Sequence, residues 1–309
     1  MTERADALEA VARVVRGEVH RGAPLAPRTT VRVGGPADLL VRPGDPDDLH
    51  ALLRACRERG LPVLPLGGGA NLLVADRGVR GVVVKLPRAF GAESVRGGVV
   101  VLSAGAPTSR LVGRAHAHGL VGCEFVAGIP GTLGGTVAMN AGTRRGEMRD
   151  VVRRVELATA DGCGWLPAAA LALGYRTARI PPGAVVTRVE LELRPGDVAA
   201  SAAIMHADVA RRRATQPLTQ PTFGSTFRNP LGDHAGRMIE AVGLKGHRIG
   251  SAAWSGVHAN FVVNLGGATA RDVLALVNLA RARVAERFGI VLEPEVRLVG
   301  EFAEDERIV

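Results

Sequence analysis

The chain has 309 residues, 47% of them hydrophobic and 22% charged, with a formal net charge of +9, one Tyr and seven Phe. That size and composition predict two or three domains with a buried core and argue against disorder, while the scattered arginines and scarce aromatics argue against a base-stacking, nucleic-acid-binding surface. No run approaches the roughly 18 uninterrupted apolar residues of a membrane span, and Cys56, Cys123 and Cys163 show neither paired nor metal-type spacing, so the expectation is a cytoplasmic protein that meets small anionic substrates, with no metal, membrane, nucleic-acid or obligate protein partner.

In chain order, Leu8, Val11, Val14 and Val15 are spaced for an opening helix. Asp45-Pro46-Asp47-Asp48, followed by Leu49, Leu52, Leu53 and Cys56 and closed by Gly60, combines an N-cap, a proline at the first helical position, early acids and a terminal glycine, and predicts a second helix. The apolar run from Leu61 to Leu66 reads as a strand, the glycines after it as a turn, and Val82-Val83-Val84 as another strand. A second unit opens with a strand at Val99 to Leu102 and passes through Ala104-Gly105-Ala106-Pro107 into a helix from about Thr108 to His118. It reaches a strand near Val185 to Leu193, with Asp161-Gly162 marking a hairpin turn on the way. After Pro195-Gly196 a helix over Val198 to Arg213 leads to Gln216-Pro217 and Gln220-Pro221, a boundary into a third unit. Its last long helix, Ala270 to Phe288, has Thr269 as cap and Val273, Leu276, Val277, Ala280 and Val284 on one face.

Two glycine segments stand out. Gly67-Gly68-Gly69-Ala70-Asn71 follows a predicted strand, where missing side chains let backbone N–H groups approach a pyrophosphate; alone it also reads as a tight turn. Gly128-Ile129-Pro130-Gly131-Thr132-Leu133-Gly134-Gly135 offers a backbone cradle feeding a helix. Neither has the phosphate-loop ending Gly-Lys-Ser/Thr or the Rossmann Gly-x-Gly-x-x-Gly spacing, so the glycines need another dinucleotide fold.

Thr29-Thr30-Val31-Arg32-Val33-Gly34-Gly35-Pro36-Ala37, Leu66 to Asn71 and Ala127 to Gly135 resemble, in order, the flavin-binding half of the UDP-N-acetylenolpyruvoylglucosamine reductase family. The resemblance implies an α+β chain: a two-subdomain FAD-binding fold of the vanillyl-alcohol oxidase type over residues 1–200 (subdomains about 1–88 and 89–200), then a C-terminal α+β substrate-binding domain over 201–309 whose tail returns to the flavin site. It implies non-covalent FAD held at Val33, Gly34, Gly67, Gly68, Gly69, Ala70, Asn71, Leu72, Gly105, Gly128, Ile129, Pro130, Gly131, Gly134, Gly135 and Arg297, with NADPH as reductant.

The same family carries three catalytic signatures that match Tyr175-Arg176, Pro221 to Pro230 and Leu292 to Arg297. The implied reaction reduces UDP-N-acetylglucosamine enolpyruvate to UDP-N-acetylmuramate: hydride from reduced flavin reaches the terminal carbon, and negative charge builds towards the substrate carboxylate. By resemblance Arg176 and Glu295 stabilise that charge and Ser225 donates the proton as general acid, while Tyr175, Arg228 and Asn229 contact the substrate. Singly, Arg176 reads as a surface cation, Ser225 as a turn cap and Glu295 as half of an ion pair; their conjunction with the glycine loops favours the catalytic reading. His258 reads as packing and Arg211-Arg212-Arg213 as a charged helix end.

The chain departs from many relatives in having Arg228 for lysine, and Ala253 and Trp254 where glutamine and valine are usual. The short interval between Arg176 and Ser225 lacks a tyrosine-bearing loop and resembles the family's compact, type II-like branch. Two rival functions remain: a flavin oxidase or dehydrogenase of the wider fold group, which would share the glycines but not the Arg176, Ser225 and Glu295 set, and a non-catalytic binding paralogue, which would not need that set.

Overall fold

The computed structural model describes residues 3–308. The chain forms two compact units: one gathers the chain up to Arg21, Asp38–Gly68 and Gly81–Ala210, the other Gly22–Ala37, Gly69–Arg80 and the chain from Arg211 onward.

In the first unit, α1 (Glu3–Val14) and α2 (Pro46–Glu58) share an apolar core with the strands Pro36–Arg42 and Val79–Val84. The start of α2 follows from its sequence: the Asp45 carboxylate accepts the Asp48 N–H at 2.8 Å and Pro46 takes the first helical position. Asp48, buried, accepts the N–H groups of Arg16, Gly17 and Gly44 at 2.8, 2.9 and 2.8 Å. Burial raises its pKa, and these donors outweigh that and leave it lowered. The strand foreseen over 61–66 is confined to Val63–Pro65 and pairs in parallel with Val79–Val84.

A five-stranded antiparallel sheet follows, in the order Gly162–Pro167, Val152–Thr159, Val185–Glu192, Val99–Ser103, Ser94–Arg96. The hairpin pairs Thr159 with Gly162, which centres its turn on Ala160-Asp161, one residue before the dipeptide that signalled it. α3 (Thr108–Ala117) and the short α4 (Leu133–Ala138) bury Leu111, Ala115, Leu133 and Val137 in the same core as the sheet residues Val100, Leu102, Val189 and Leu191. α5 (Val198–Thr215) carries the chain onward.

The second unit packs α6 (Ala235–Ala241) and α7 (Ala270–Phe288) with Phe223, Phe227, Trp254, Val262 and Leu73. α7 has the boundaries its sequence predicts: Thr269 Oγ1 accepts the Asp272 N–H at 3.0 Å, the Asp272 carboxylate reaches back to the Thr269 N–H, and Gly289 ends the helix at φ 66°. The strand Leu72–Val74 pairs in parallel with Arg297–Val299, and Ala252–Trp254 pairs with Val262–Asn264. Among the described residues no helix is long and apolar enough to cross a membrane.

Candidate active site

In the first unit the two glycine segments lie against one another. A Cβ on Gly68 would stand 2.5 Å from the Gly131 Cα, and one on Gly67 2.6 Å from Thr132 Oγ1. A side chain at position 68 would meet the Gly131 backbone and push the loops apart, so Gly68 is required by close backbone approach, whereas at Gly67 the near atom is a side-chain hydroxyl. Gly134 packs on Ala104 and Gly105 on the Pro87 carbonyl, and the Leu133 and Gly134 N–H groups are used by the carbonyls of Ala106 and Ala104. The N–H groups of Gly67, Gly68 and Gly131 donate to no acceptor among the described residues, and these backbones are partly exposed. Such donors suit an anionic pyrophosphate, which has only acceptor oxygens to offer. Gly128, Ile129, Pro130 and Gly135 line the partly open edge of this loop. The Lys85 ammonium donates to the Gly67 carbonyl at 2.9 Å, adding a cation that no motif had singled out.

Tyr175 and Arg176 occupy the centre of a tight turn closed by reciprocal bonds between Gly174 and Thr177, 3.1 and 3.2 Å long. Arg176 has φ 57°, a conformation that L residues other than Gly, Asn and Asp seldom adopt. Its guanidinium lies 5.0 Å from the Tyr175 ring centre and donates to the Gly142 carbonyl at 3.1 Å. Asn140, buried and itself at φ 38°, donates to the Gly174 carbonyl at 2.9 Å and accepts the Arg149 N–H at 2.8 Å.

In the second unit Ser225 and Glu295, remote in sequence, lie on adjoining backbone segments. Ser225 bridges to Phe261 and Phe227 to Pro294, while the Glu295 N–H donates to the Thr226 carbonyl at 2.8 Å. The buried Asn260 amide clasps Phe227 on both sides, accepting its N–H at 3.0 Å and donating to its carbonyl at 2.8 Å. Asn71, placed with the flavin loop by its sequence, donates to the Glu295 carbonyl at 2.9 Å and accepts the Arg297 N–H at 3.1 Å, so it holds the glutamate's segment. Its neighbour Leu72 starts the strand that pairs with Arg297, whose own side chain is exposed.

Gly69, at φ 63°, packs on Arg28 and Thr29, and Ala70 is partly exposed beside it. Gly34 approaches the Val74 side chain, whereas Val33 turns its side chain into the core and its N–H and carbonyl both bond the Thr29 hydroxyl. Arg228 donates its backbone N–H to the Glu293 carbonyl, its guanidinium meets Glu293 at 3.5 Å, and its buried Nε has no hydrogen-bond partner among the described residues. The Asn229 side-chain oxygen accepts the Ala235 N–H at 3.1 Å, so part of that amide serves the start of α6.

Comparison with known proteins shows the family of the chain. Residues 37–163 match the FAD binding domain model and residues 216–299 match the model of the UDP-N-acetylenolpyruvoylglucosamine reductase C-terminal domain. A UDP-N-acetylenolpyruvoylglucosamine reductase of Anaeromyxobacter dehalogenans is 73% identical, over 96% of this chain and 90% of its own. The chain belongs to the UDP-N-acetylenolpyruvoylglucosamine reductase family. A reductase of that name from Myxococcus xanthus is 56% identical over 92% of this chain and 93% of its own. The crystal structure of the Thermus caldophilus reductase superposes with a TM-score of 0.77 at 38% identity, covering 92% of this chain and 99% of that one. The fold is accordingly an α+β arrangement of an FAD binding domain and the reductase family's C-terminal domain, as the resemblance implied.

Sequence motifs did not single out Lys85, Asn140 or Asn260. Their signals were present but weak: one of only two lysines in the chain, and asparagines beside motif segments. Among the described residues no group of three or more His, Cys, Asp or Glu side chains is arranged to hold a metal ion. The thiols of Cys56 and Cys123 are buried and pushed up to about 12 by desolvation.

Proposed function

We infer that this chain is an NADPH-driven, FAD-dependent reductase that converts UDP-N-acetylglucosamine enolpyruvate into UDP-N-acetylmuramate, a precursor of the bacterial cell wall. The observation that carries the reading is the meeting of Ser225 and Glu295 on adjoining backbone in a chain of this family. A fold-sharing oxidase has no need of that pairing.

FAD, bound non-covalently and reduced by NADPH, supplies the hydride for the terminal carbon of the enolpyruvyl ether. The chain's own residues do the rest. The donors of Gly67, Gly68 and Gly131 would hold the pyrophosphate, with the Lys85 charge beside them. Arg176 presents a fixed cation to the substrate carboxylate, and Glu295, when it carries its proton, donates a hydrogen bond to the same group, so both stabilise the charge that hydride addition creates. Ser225 gives its hydroxyl proton to the carbon next to the carboxylate, and the double bond has then gained one hydride and one proton. Arg228 and Asn229, with Tyr175, bind the nucleotide-sugar part, arginine suiting phosphate oxygens. Residues 1–200 form the flavin-binding region and 201–309 the substrate-binding domain of a cytoplasmic enzyme that works without a membrane or an obligate protein partner.

The test separates the two half-reactions of Ser225→Ala under anaerobic conditions. Flavin content and reduction by NADPH stay at the wild-type level, and re-oxidation by the enolpyruvyl substrate slows on the order of 100-fold or more, the usual worth of a general acid. Re-oxidation at the wild-type rate would remove Ser225 from the mechanism.

A further inference from the structure

Three asparagine amides recur in one geometric role: each fixes the backbone of a segment bearing one of the residues assigned to catalysis. Asn140 donates to the Gly174 carbonyl at 2.9 Å, at the base of the turn that carries Arg176. Asn260 exchanges two hydrogen bonds with the Phe227 backbone, and its own carbonyl accepts the Thr226 N–H at 2.8 Å, which fixes the segment that carries Ser225. Asn71 donates to the carbonyl of Glu295 itself at 2.9 Å.

An amide is the one neutral side chain that presents a donor and an acceptor side by side, so it can replace a strand's hydrogen bonds where no strand is available. Asn140 and Asn260 are buried, so removing either amide leaves backbone groups unsatisfied in an apolar setting. Asn140 has a second qualification. Its φ of 38° lies in the left-handed region, which asparagine tolerates better than other side chains, and the Arg176 it supports also has positive φ at 57°. Two unfavourable backbone conformations on one support mark a place where geometry is held against local preference.

We propose that Asn140, Asn260 and Asn71 are positioning residues, each setting the reach of one catalytic side chain towards the substrate: Arg176, Ser225 and Glu295 respectively. This rests on the catalytic assignment above. The effect of Asn140 and Asn260, which lie outside the flavin-holding set, falls on the substrate half-reaction, because they set groups that act on the substrate.

The experiment uses Asn140→Gly, which keeps the left-handed backbone accessible and removes only the amide, and Asn140→Asp, which keeps the acceptor for Arg149 and loses the donor to Gly174. Flavin-loaded protein is reduced by NADPH and then re-oxidised anaerobically by the enolpyruvyl substrate, with rates taken per bound flavin. Flavin reduction is expected to stay within about twofold of wild type, and re-oxidation to slow roughly 10- to 100-fold in Asn140→Gly, the scale expected of a misplaced catalytic group. Asn260→Ala gives the same split. Equal loss in both half-reactions, or no loss in either, overturns the proposal. Arg176→Ala is measured alongside: if it re-oxidises normally, the assignment of Arg176 fails, whereas a slow Arg176→Ala beside an unimpaired Asn140→Gly eliminates the positioning role alone.

Discussion

His258 shows how far a single residue's role depends on its neighbours. Its Nδ1 accepts the Asn260 N–H at 3.2 Å and its ring meets Phe261 edge-on, with centres 4.8 Å apart. A ring nitrogen that accepts this bond is unprotonated, and desolvation holds the imidazole below its ordinary 6.5. As pH falls through 6.5 the unfolded chain takes up this proton before the folded one does. The stability contribution is therefore present above that value and lost on acidification towards the lower folded pKa. Thermal melts between about pH 8 and about pH 5.5 should show a fall in Tm that is smaller in His258→Gln, which cannot titrate in that range. An identical fall in both proteins would remove His258 as its source. The sequence supported reading His258 as packing, and its hydrogen bond to the asparagine that clasps Phe227 needed coordinates, because no spacing rule joins those three residues.

The turn at 174–177 makes the same point about Arg176. Its type, with positive φ at the third position, favours glycine or asparagine there, and placing an arginine in it costs about 1–3 kcal/mol. The residue types in the motif were legible; the backbone cost that marks them as selected for more than folding was not.

At the scale of elements, local signals carried well. The N-cap and proline of α2, and the Thr269-to-Gly289 limits of α7, appear where the residues demand them, because caps are decided within a turn or two of chain. The strand Val63–Pro65 came out shorter than its apolar run, since pairing with Val79–Val84 sets its length. The glycine loops were legible as candidates one at a time, while their mutual contact was not. That contact gives a prediction. Gly68→Ala would put a methyl carbon 2.5 Å from the Gly131 Cα, a distance neither backbone can accept unmoved. The variant is expected to fold, with a melt close to wild type, and to emerge with most of its FAD lost, measured as flavin absorbance per protein. Full flavin content would show that the two loops need not touch to hold the cofactor.

For the whole molecule, the family resemblance carried by the motifs implied the fold class and the reaction, and the family relationship bears out both. What the sequence could not display is how segments 22–37 and 69–80 join the C-terminal third in one compact unit. That association rests on long-range pairs: Asn264 donating to the Val31 carbonyl at 3.0 Å, Asp76 accepting the first N–H groups of α7, and strand 72–74 beside 297–299. No local period encodes such pairs. Their effect is to bring a residue of the glycine loop, Asn71, to the backbone of Glu295.

Flavin electrons in this chain are destined for an enolpyruvyl ether if the proposed reaction holds. That destination is tested most directly by following NADPH oxidation by the purified, flavin-loaded protein with and without UDP-N-acetylglucosamine enolpyruvate, under anaerobic conditions, and identifying the product by mass. One NADPH is expected to be consumed for each UDP-N-acetylmuramate formed, with little oxidation when the substrate is omitted. NADPH oxidation that ignores the substrate, or requires oxygen instead, would contradict the proposed reaction.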